Sequence, residues 1–579
     1  MTNFHKQTPP ASQAGPPGNV WVAAFRRGPY LWVLLPVCIA LIWGVVLPLG
    51  ALVVESLVDS QARWGIAAYT EAFTQPTFWE SVVNSVGISA MTVVCCALIG
   101  VPLAIFLSLF DFPGRRMLAV MANLPLVLPP LVGVLAFLFL YDETGLATRL
   151  VMKMFHLETP PWSLRGRAAI IAVHTYSMYA YFYSFTSAAL ERVDFSLVEA
   201  ARSLGGRPWV VWRRVVLPLL SPAFAGAALL TFMTSMASFS APYLFGGGVR
   251  YLTIEIFNAY ANRQFELAMA ESVLLAAISI PMLIFLQRFE GTRRFASVSK
   301  GTVRRRPLVS RVSQVLALSL STIVVLFLML PPAMLILLSV VGEGSWRTTL
   351  LPTEYTLTHY HSTLTEAITY QPILNSLAMS LPAAVAAGIL GSLVAYMVVR
   401  LRFPAQRFLS GLVLVPWVLP GTVVALCVIA AYRTPHWYSA GQVLVGTFWI
   451  LPFIYFLRTW PLATRAVQTN FEQFDASQEE AARTLGAGWL YAMWRVVLPQ
   501  VWPGLVNGVT LAFVTLLGEF AASVLAFVFR NRPISVEIAS QLRAANLGRA
   551  AVYGVVLMIL MGAALGAGEV LKQKWRPKK

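Results

Sequence analysis

SLVEAARSLGGRPWVVWRRVVLP, from Ser196 to Pro218, is a polar, arginine-rich stretch flanked on both sides by runs apolar enough for lipid. A near copy, SQEEAARTLGAGWLYAMWRVVLP, occupies Ser477 to Pro499, 281 positions further on. Each copy reads as a short helix, a break and a second helix. Ser196 with Glu199, and Ser477 with Glu480, have the spacing of a capping box, which satisfies orphan backbone N–H groups at a helix start. The helix then runs through Ala200, Ala201 and Leu204, or through Ala481 and Ala482. Gly205 and Gly486 stand where a left-handed residue ends a helix, a conformation open to glycine at no steric cost. Pro208 suits the start of the next helix, although its counterpart Trp489 lacks that feature. Leu217-Pro218 and Leu498-Pro499 lead into the following apolar run. Capping and termination explain the glutamates and glycines as parts of a plain helix–turn–helix. They do not explain why a surface loop is kept twice, and a small protruding helix with two alanines lets another protein approach closely.

Outward from these segments the chain is 58% hydrophobic and only 12% charged over 579 residues, against about 25% charged in soluble domains. Twelve apolar runs are each long enough to cross about 30 Å of hydrocarbon. They lie near 30–54, 83–109, 117–140, 168–190, 219–241, 268–287, 313–340, 373–399, 408–431, 441–460, 503–528 and 550–571. The expected fold is an all-α polytopic membrane protein. The net charge of +18 raises a nucleic-acid reading, but its distribution answers it. With the N-terminus inside and alternating spans, most Lys and Arg fall on the cytoplasmic side, as the positive-inside bias requires. No nucleic-acid partner is expected. The loop at 529–549 runs against this bias, since Arg530, Arg532, Arg543 and Arg549 are then placed outside. Residues 1–29, rich in Pro, Gln, Ser and Gly, read as a disordered cytoplasmic tail. Cys38, Cys95, Cys96 and Cys427 all lie in apolar spans and read as small hydrophobes, with no disulfide framework and no zinc pattern.

The duplication extends well beyond the opening stretch. FWESVVNSVGIS (78–89) answers TYQPILNSLAMS (369–380), aligning Asn84-Ser85 with Asn375-Ser376. FPGRRMLAVMANLPLVLPP from Phe112 answers FPAQRFLSGLVLVPWVLPG from Phe403, pairing Pro125 with Pro416 and Pro129 with Pro420. The offset is 291 there and 281 at the polar segments, so the first half has ten more residues in between, most simply near 141–167. An even number of spans separates the copies. That makes two parallel repeats of six helices, facing each other about a pseudo-two-fold axis along the membrane normal. The charged, Gly- and Ser-bearing stretch at 288–312 joins a first repeat at 30–287 to a second at 313–572, and a basic tail follows at 573–579.

The pattern E-A-A-x(3)-G-x(9)-[I/V]-x-L-P resembles the EAA loop of binding-protein-dependent ABC importer permeases of type I. Here it reads Glu199-Ala200-Ala201, Gly205, Val215, Leu217-Pro218, and again Glu480-Ala481-Ala482, Gly486, Val496, Leu498-Pro499. Val in place of the more usual Ile is a minor departure, and the resemblance covers both halves but not the N-terminal tail. It implies the type I permease fold, with family cores at about 80–287 and 371–570. It implies also that each loop is a coupling helix held by a nucleotide-binding subunit, so that two copies of an ABC ATPase and an extracytoplasmic binding protein are the expected partners, in a bacterial inner membrane with both termini cytoplasmic. The chain contains no GK[ST] and no LSGGQ-like signature, hence no phosphate loop of its own. It is expected not to be an enzyme and to hold no cofactor, with ATP and Mg on the partner.

Ionisable or kinked positions inside spans are the candidates for the translocation path. Glu519, two-thirds along its span, is the clearest, with an interfacial carboxylate as the alternative. Ser238 occupies the equivalent place. Pro125, Pro129, Pro416 and Pro420 interrupt matched helices and either expose carbonyls to a cavity or kink the helices for packing. Glu271 reads as a snorkelling side chain; His174 and Asn123 read as hydrogen bonds between packed helices, with lining the path as the alternative. His359 and His361 share one side of an extended strand but lack a third ligand, so no metal site is expected. The competing classes are an ion-driven secondary carrier, which needs no repeated loop, and a membrane enzyme, for which no catalytic constellation exists. The fused form with FPxxR is similar to permeases for ferric iron, with thiamine, phosphonate, polyamine and sulfate-type systems close behind.

Overall fold

Helical segments overlap each of the twelve expected spans in the computed structural model. It describes residues 29–59, 61, 63–191, 193–292, 306–307, 310–342, 352–401 and 405–574. Nearly all of the expected N-terminal tail, most of the linker and the end of the basic tail lie outside the described residues. The first half contains α1 (Val33–Ser56), α2 (Pro76–Leu109), α3 (115–141, in three pieces), α4 (Gly166–Leu190), α5 (Pro208–Met236) and α6 (Phe265–Thr292). The second contains α7 (Arg311–Ser339), α8 (Ala367–Arg400), α9 (406–432), α10 (Ile450–Gln473), α11 (Trp489–Leu517) and α12 (Leu547–Lys574).

Among the described residues nine helices are long and apolar enough to cross a membrane. The pair Gln406–Val418 and Gly421–Tyr432, bent by 110°, makes a tenth when it is counted as one broken span. The remaining two are α4 and α10, the fourth helix of each half. They are less apolar because they are walled by protein instead of lipid: His174, Thr175, Thr459 and Thr464 are all buried. Helices α2 and α4, like α8 and α10, cross at close range. A Cβ on Gly100 would press into the Tyr179 carbonyl oxygen, and one on Gly391 would lie 2.9 Å from the Thr464 nitrogen. Small residues let membrane helices approach this closely.

The first helix of each half reaches across to the other. The Leu47–Ser56 part of α1 packs on α6 and on the second limb of α9, while α7 packs on α12 and on the Pro130–Tyr141 limb of α3. Trp43 Nε1 donates to the Tyr438 carbonyl at 2.7 Å, Tyr432 donates its hydroxyl to the Trp43 carbonyl at 2.7 Å, and Arg433 pairs with Glu55. On the other side Tyr176 of α4 donates to the Leu328 carbonyl of α7 at 2.9 Å. Equivalent Phe239 and Phe520 touch each other, ring centroids 5.6 Å apart. A residue meets its own counterpart only on a two-fold axis, so the pseudo-symmetry axis passes between them.

The structure corrects several boundaries. The tenth span begins at Ile450 instead of 441, and the eleventh ends at Leu517 instead of 528. The fifth span is longer than expected, running back to Pro208 through a π-helical turn at Trp212–Val216, and Met493–Val497 repeats this turn in the second half. Within the described part of the linker, Arg306–Pro307 pairs in parallel with Phe110–Asp111. In the arginine-rich 529–549 loop, Arg532 lies 2.8 Å from Glu537 as a charge contact without hydrogen-bond alignment, and Arg549 lies 3.8 Å from Glu366.

Candidate coupling segments and translocation cavity

The repeated polar segments form helices Phe195–Ser203 and Ala476–Thr484. Their caps differ from the expected capping box. Asp194 accepts from the Ser196 N–H at 2.9 Å and Asp475 from the Ser477 N–H at 3.0 Å, so the cap lies upstream of the serine in both copies. Asp outcompetes Ser because its carboxylate also complements the positive end of the helix. The Ser477 N–H and hydroxyl hold the Asp475 carboxyl below its ordinary value. Its contribution is therefore present above that value and is lost only as pH falls through the lowered one. Glu199 and Glu480, freed from capping, are exposed, as are Ala200 and Ala481.

The glycine ends match expectation. Gly205 and Gly486 have φ of 81° and 89°. The N–H of Gly206 reaches the Ala201 carbonyl at 3.0 Å and that of Gly205 the Arg202 carbonyl at 2.9 Å; Ala487 and Gly486 repeat both bonds. This is a Schellman motif twice over. It leaves Leu204 and Leu485, the residues just before the glycines, each 89% exposed. Leu204 was legible as a helix member, but the exposure of the two leucines was not. Val215 and Val496 fall within the π-helical turns, and Leu217-Pro218 and Leu498-Pro499 form the first turn of the helix that follows.

The two segments are anchored differently. Val198 packs into an apolar cluster with Leu190, Val211 and Val216, against which Ile105 also packs. In the second half Glu479 stands for Val198 and Tyr396 for Ile105. The Tyr396 hydroxyl donates to Glu479 at 3.0 Å and accepts from Trp489 Nε1 at 3.2 Å.

Beyond α5 and α11 both halves break the helix and start a short one, Leu252–Ala261 or Ile534–Arg543. The repeated Asn-Ser pairs hold these starts. Asn84 donates to the Arg250 carbonyl at 3.0 Å and Ser85 accepts from the Leu252 N–H at 2.9 Å. Asn375 donates to the Arg530 and Arg532 carbonyls, and Ser376 accepts from the Ile534 N–H at 2.8 Å. Alignment had marked these residues, but their partners are some 160 positions away and only packing reveals them.

A cavity of about 230 Å³ lies at the junction of the halves. Pro125, Pro129, His174 and Ser238 line it from the first half, and Thr515 and Gly518 from the second. A Cβ on Gly518 would lie 2.8 Å from that of Pro129. His174 sits between Ser235 Oγ (3.0 Å) and Ser238 Oγ (2.8 Å), which bears out helix-packing hydrogen bonds. Asn123 likewise accepts from Ser184 at 2.7 Å.

The remaining candidates lie apart from this cavity or differ from their expected setting. Pro416 lines a narrow cleft against α1, and Pro420 is buried without reaching the cavity wall. Pro420 instead follows the bend that frees the Leu419 carbonyl, which accepts from Arg458 Nη1 at 3.1 Å. Glu519 is not within a helix but in the break after Leu517. Its carboxylate pairs with Arg458 Nη2 at 3.1 Å and accepts from the Ala522 N–H at 3.0 Å. Arg458 was not foreseen, because nothing local distinguishes it from a boundary arginine. Glu271 does not snorkel; it is 4% exposed and its Oε2 has no hydrogen-bond partner among the described residues. His359 and His361 lie on helix Thr358–Thr365 instead of a strand, and His359 Nε2 is 3.0 Å from the Val341 carbonyl.

The family described as binding-protein-dependent transport system inner membrane component matches twice, at residues 100–293 and 387–576. A probable ABC transporter permease protein, y4fN of Sinorhizobium fredii (strain NBRC 101917 / NGR234), is 29% identical over 486 residues, covering 83% of this chain and 85% of its own. The ferric transport system permease protein FbpB of Actinobacillus pleuropneumoniae is 23% identical over 539 residues, covering 92% and 76%. The molybdenum transport system permease protein ModB of Mycobacterium tuberculosis is 31% identical over 253 residues, covering 43% of this chain and 90% of its own.

Proposed function

The chain belongs to the family of binding-protein-dependent transport system inner membrane components, and from that premise we propose that it carries both halves of the path through which an ATP-driven importer moves ferric iron. As a multi-pass inner-membrane permease it is a transporter subunit, not an enzyme. Both termini lie in the cytoplasm, which puts the two polar segments there as well. ATP and Mg are bound and hydrolysed on a separate subunit. Two copies of that subunit are needed, because there are two docking helices.

The observation that carries this reading is the pair of protruding helices, each ending in a glycine turn that presents a leucine 89% exposed. A leucine left in water costs about 1.5–3 kcal/mol relative to a buried one, so burial in a groove of the ATPase drives docking. Closure of two ATPase subunits then drags the helices, and through the π-helical turns α5 and α11. Differential contact with two ATPase states biases the two bundle arrangements. The ferric assignment draws on FbpB-type relatives that match across both halves; ModB matches less than half of the chain.

The test is co-purification of the ATPase with a variant carrying Leu204→Asp and Leu485→Asp, with Glu480→Lys added in a second variant. ATPase recovery and solute uptake are expected to collapse while the permease still accumulates in the membrane. Undiminished ATPase binding in both variants overturns the docking assignment. Uptake of ferric iron, measured beside molybdate and 2-aminoethylphosphonate, decides the cargo.

A further inference from the structure

The two halves treat one pair of equivalent positions in opposite ways. Ser177 and Ser238 of the first half correspond, at the spacing of 281, to Arg458 and Glu519 of the second. In the second half these side chains fill their space. Arg458 Nε and Nη2 lie 3.2 and 3.1 Å from Glu519 Oε2, Nη1 reaches the Leu419 carbonyl, and Glu519 Oε1 takes the Ala522 N–H. In the first half short hydroxyl side chains replace both. Ser177 turns back to the Val173 carbonyl at 3.0 Å, Ser238 meets His174, and the cavity of about 230 Å³ remains.

We propose that this first-half cavity is the station at which the permease itself contacts its solute, and that the equivalent position in the second half is closed by the Arg458–Glu519 pair. The cavity's second-half wall, with Thr515 and Gly518, belongs to the opposite bundle, so rocking of the halves opens and closes it. His174 lies eight residues, about 12 Å, in from the start of α4, well within the span.

The lining defines the class of solute. Serine and threonine hydroxyls, Ser177, Thr234 and Ser238 among them, the His174 imidazole and the Tyr181 ring meet an apolar wall of prolines, valines, leucine and methionine, with no carboxylate, lysine or arginine among the described lining residues. A bare trivalent cation brought there from water would find no compensating charge. The cavity suits a small oxygen-rich solute whose charge is already balanced, with room for about eight waters at about 30 Å³ each. For a ferric cargo this means the ion still wearing oxygen ligands. The inference rests on the permease reading, not on ferric iron being the cargo.

The test uses the full transporter, with its ATPase and binding protein, in membrane vesicles. Ser177→Arg with Ser238→Glu installs in the first half the pair that the second half already accommodates. Uptake is expected to fall by about tenfold or more, since side chains now fill the space, with ATPase co-purification unchanged. Separately, Ser177→Cys and Ser238→Cys, made after replacing Cys38, Cys95, Cys96 and Cys427, are expected to react with a small water-soluble methanethiosulfonate at rates that differ between ATP-free and vanadate-trapped states. Uptake within about twofold of the parent in the Arg/Glu variant overturns the proposal by the same filling argument, as do cysteines inert in both states. If the Arg/Glu variant does not accumulate, or the parent takes up no ferric iron, the cysteine measurement decides alone; the latter result removes only the cargo.

Discussion

At the scale of single residues the most consequential contact joins Arg458 to Glu519, 61 positions apart on different elements. Glu519 is nearly buried, its side chain 7% exposed. Removing one member of a buried pair strands the other charge, at a cost of about 3–5 kcal/mol, whereas replacing both with apolar groups is often neutral. Arg458→Met is therefore expected to lower the thermal midpoint of the detergent-solubilised protein sharply, and Arg458→Met with Glu519→Met to recover most of the loss. Equal destabilisation in the two variants would show that the pair contributes nothing as a pair. Glu519 was legible as an anomaly in the sequence. Its partner was not, because the attraction depends on where α10 passes the break after α11. The caps were misread at this same scale: Ser196 and Ser477 satisfy the spacing rule, but a carboxylate two positions earlier takes the N–H instead.

At the scale of elements, close crossings decide how each six-helix unit packs. A side chain on Gly100 meets the backbone of Tyr179 and Tyr183, which cannot rotate away as a flexible tip does. Gly100→Val is expected to prise α2 from α4 and cost more than about 2 kcal/mol, at the upper part of the range for overpacked cores. Loss of the protein from membrane fractions, with the transcript unchanged, is the measurement; normal accumulation and melting would count against the crossing. Apolar runs overlapped every long helix, yet did not reveal that α4 and α10 are walled by protein, since polarity there reflects protein neighbours in place of lipid. They also missed the 110° bend of α9, since prolines at Pro416 and Pro420 mark an interruption without fixing its direction.

At the scale of the whole molecule, the halves are held by more than the covalent linker. Helix α1 lies against the second limb of α9, α7 lies against the last limb of α3, and Phe239 meets Phe520 on the axis. Two chains separated within 293–305 and produced together are therefore expected to co-purify and to restore uptake. Failure to associate would make the linker, and not the exchanged helices, the bond between halves. The class of molecule, its duplication and the glycine-ended helices could be read from the chain alone, because they depend on hydropathy, on internal repetition and on hydrogen bonds within a turn or two. Which prolines line the cavity, what holds Glu519 and what the Asn-Ser pairs secure emerge from the folded protein alone. Those outcomes arise from atoms brought into hydrogen-bonding range by packing from positions tens to hundreds of residues apart, and no local pattern encodes that meeting.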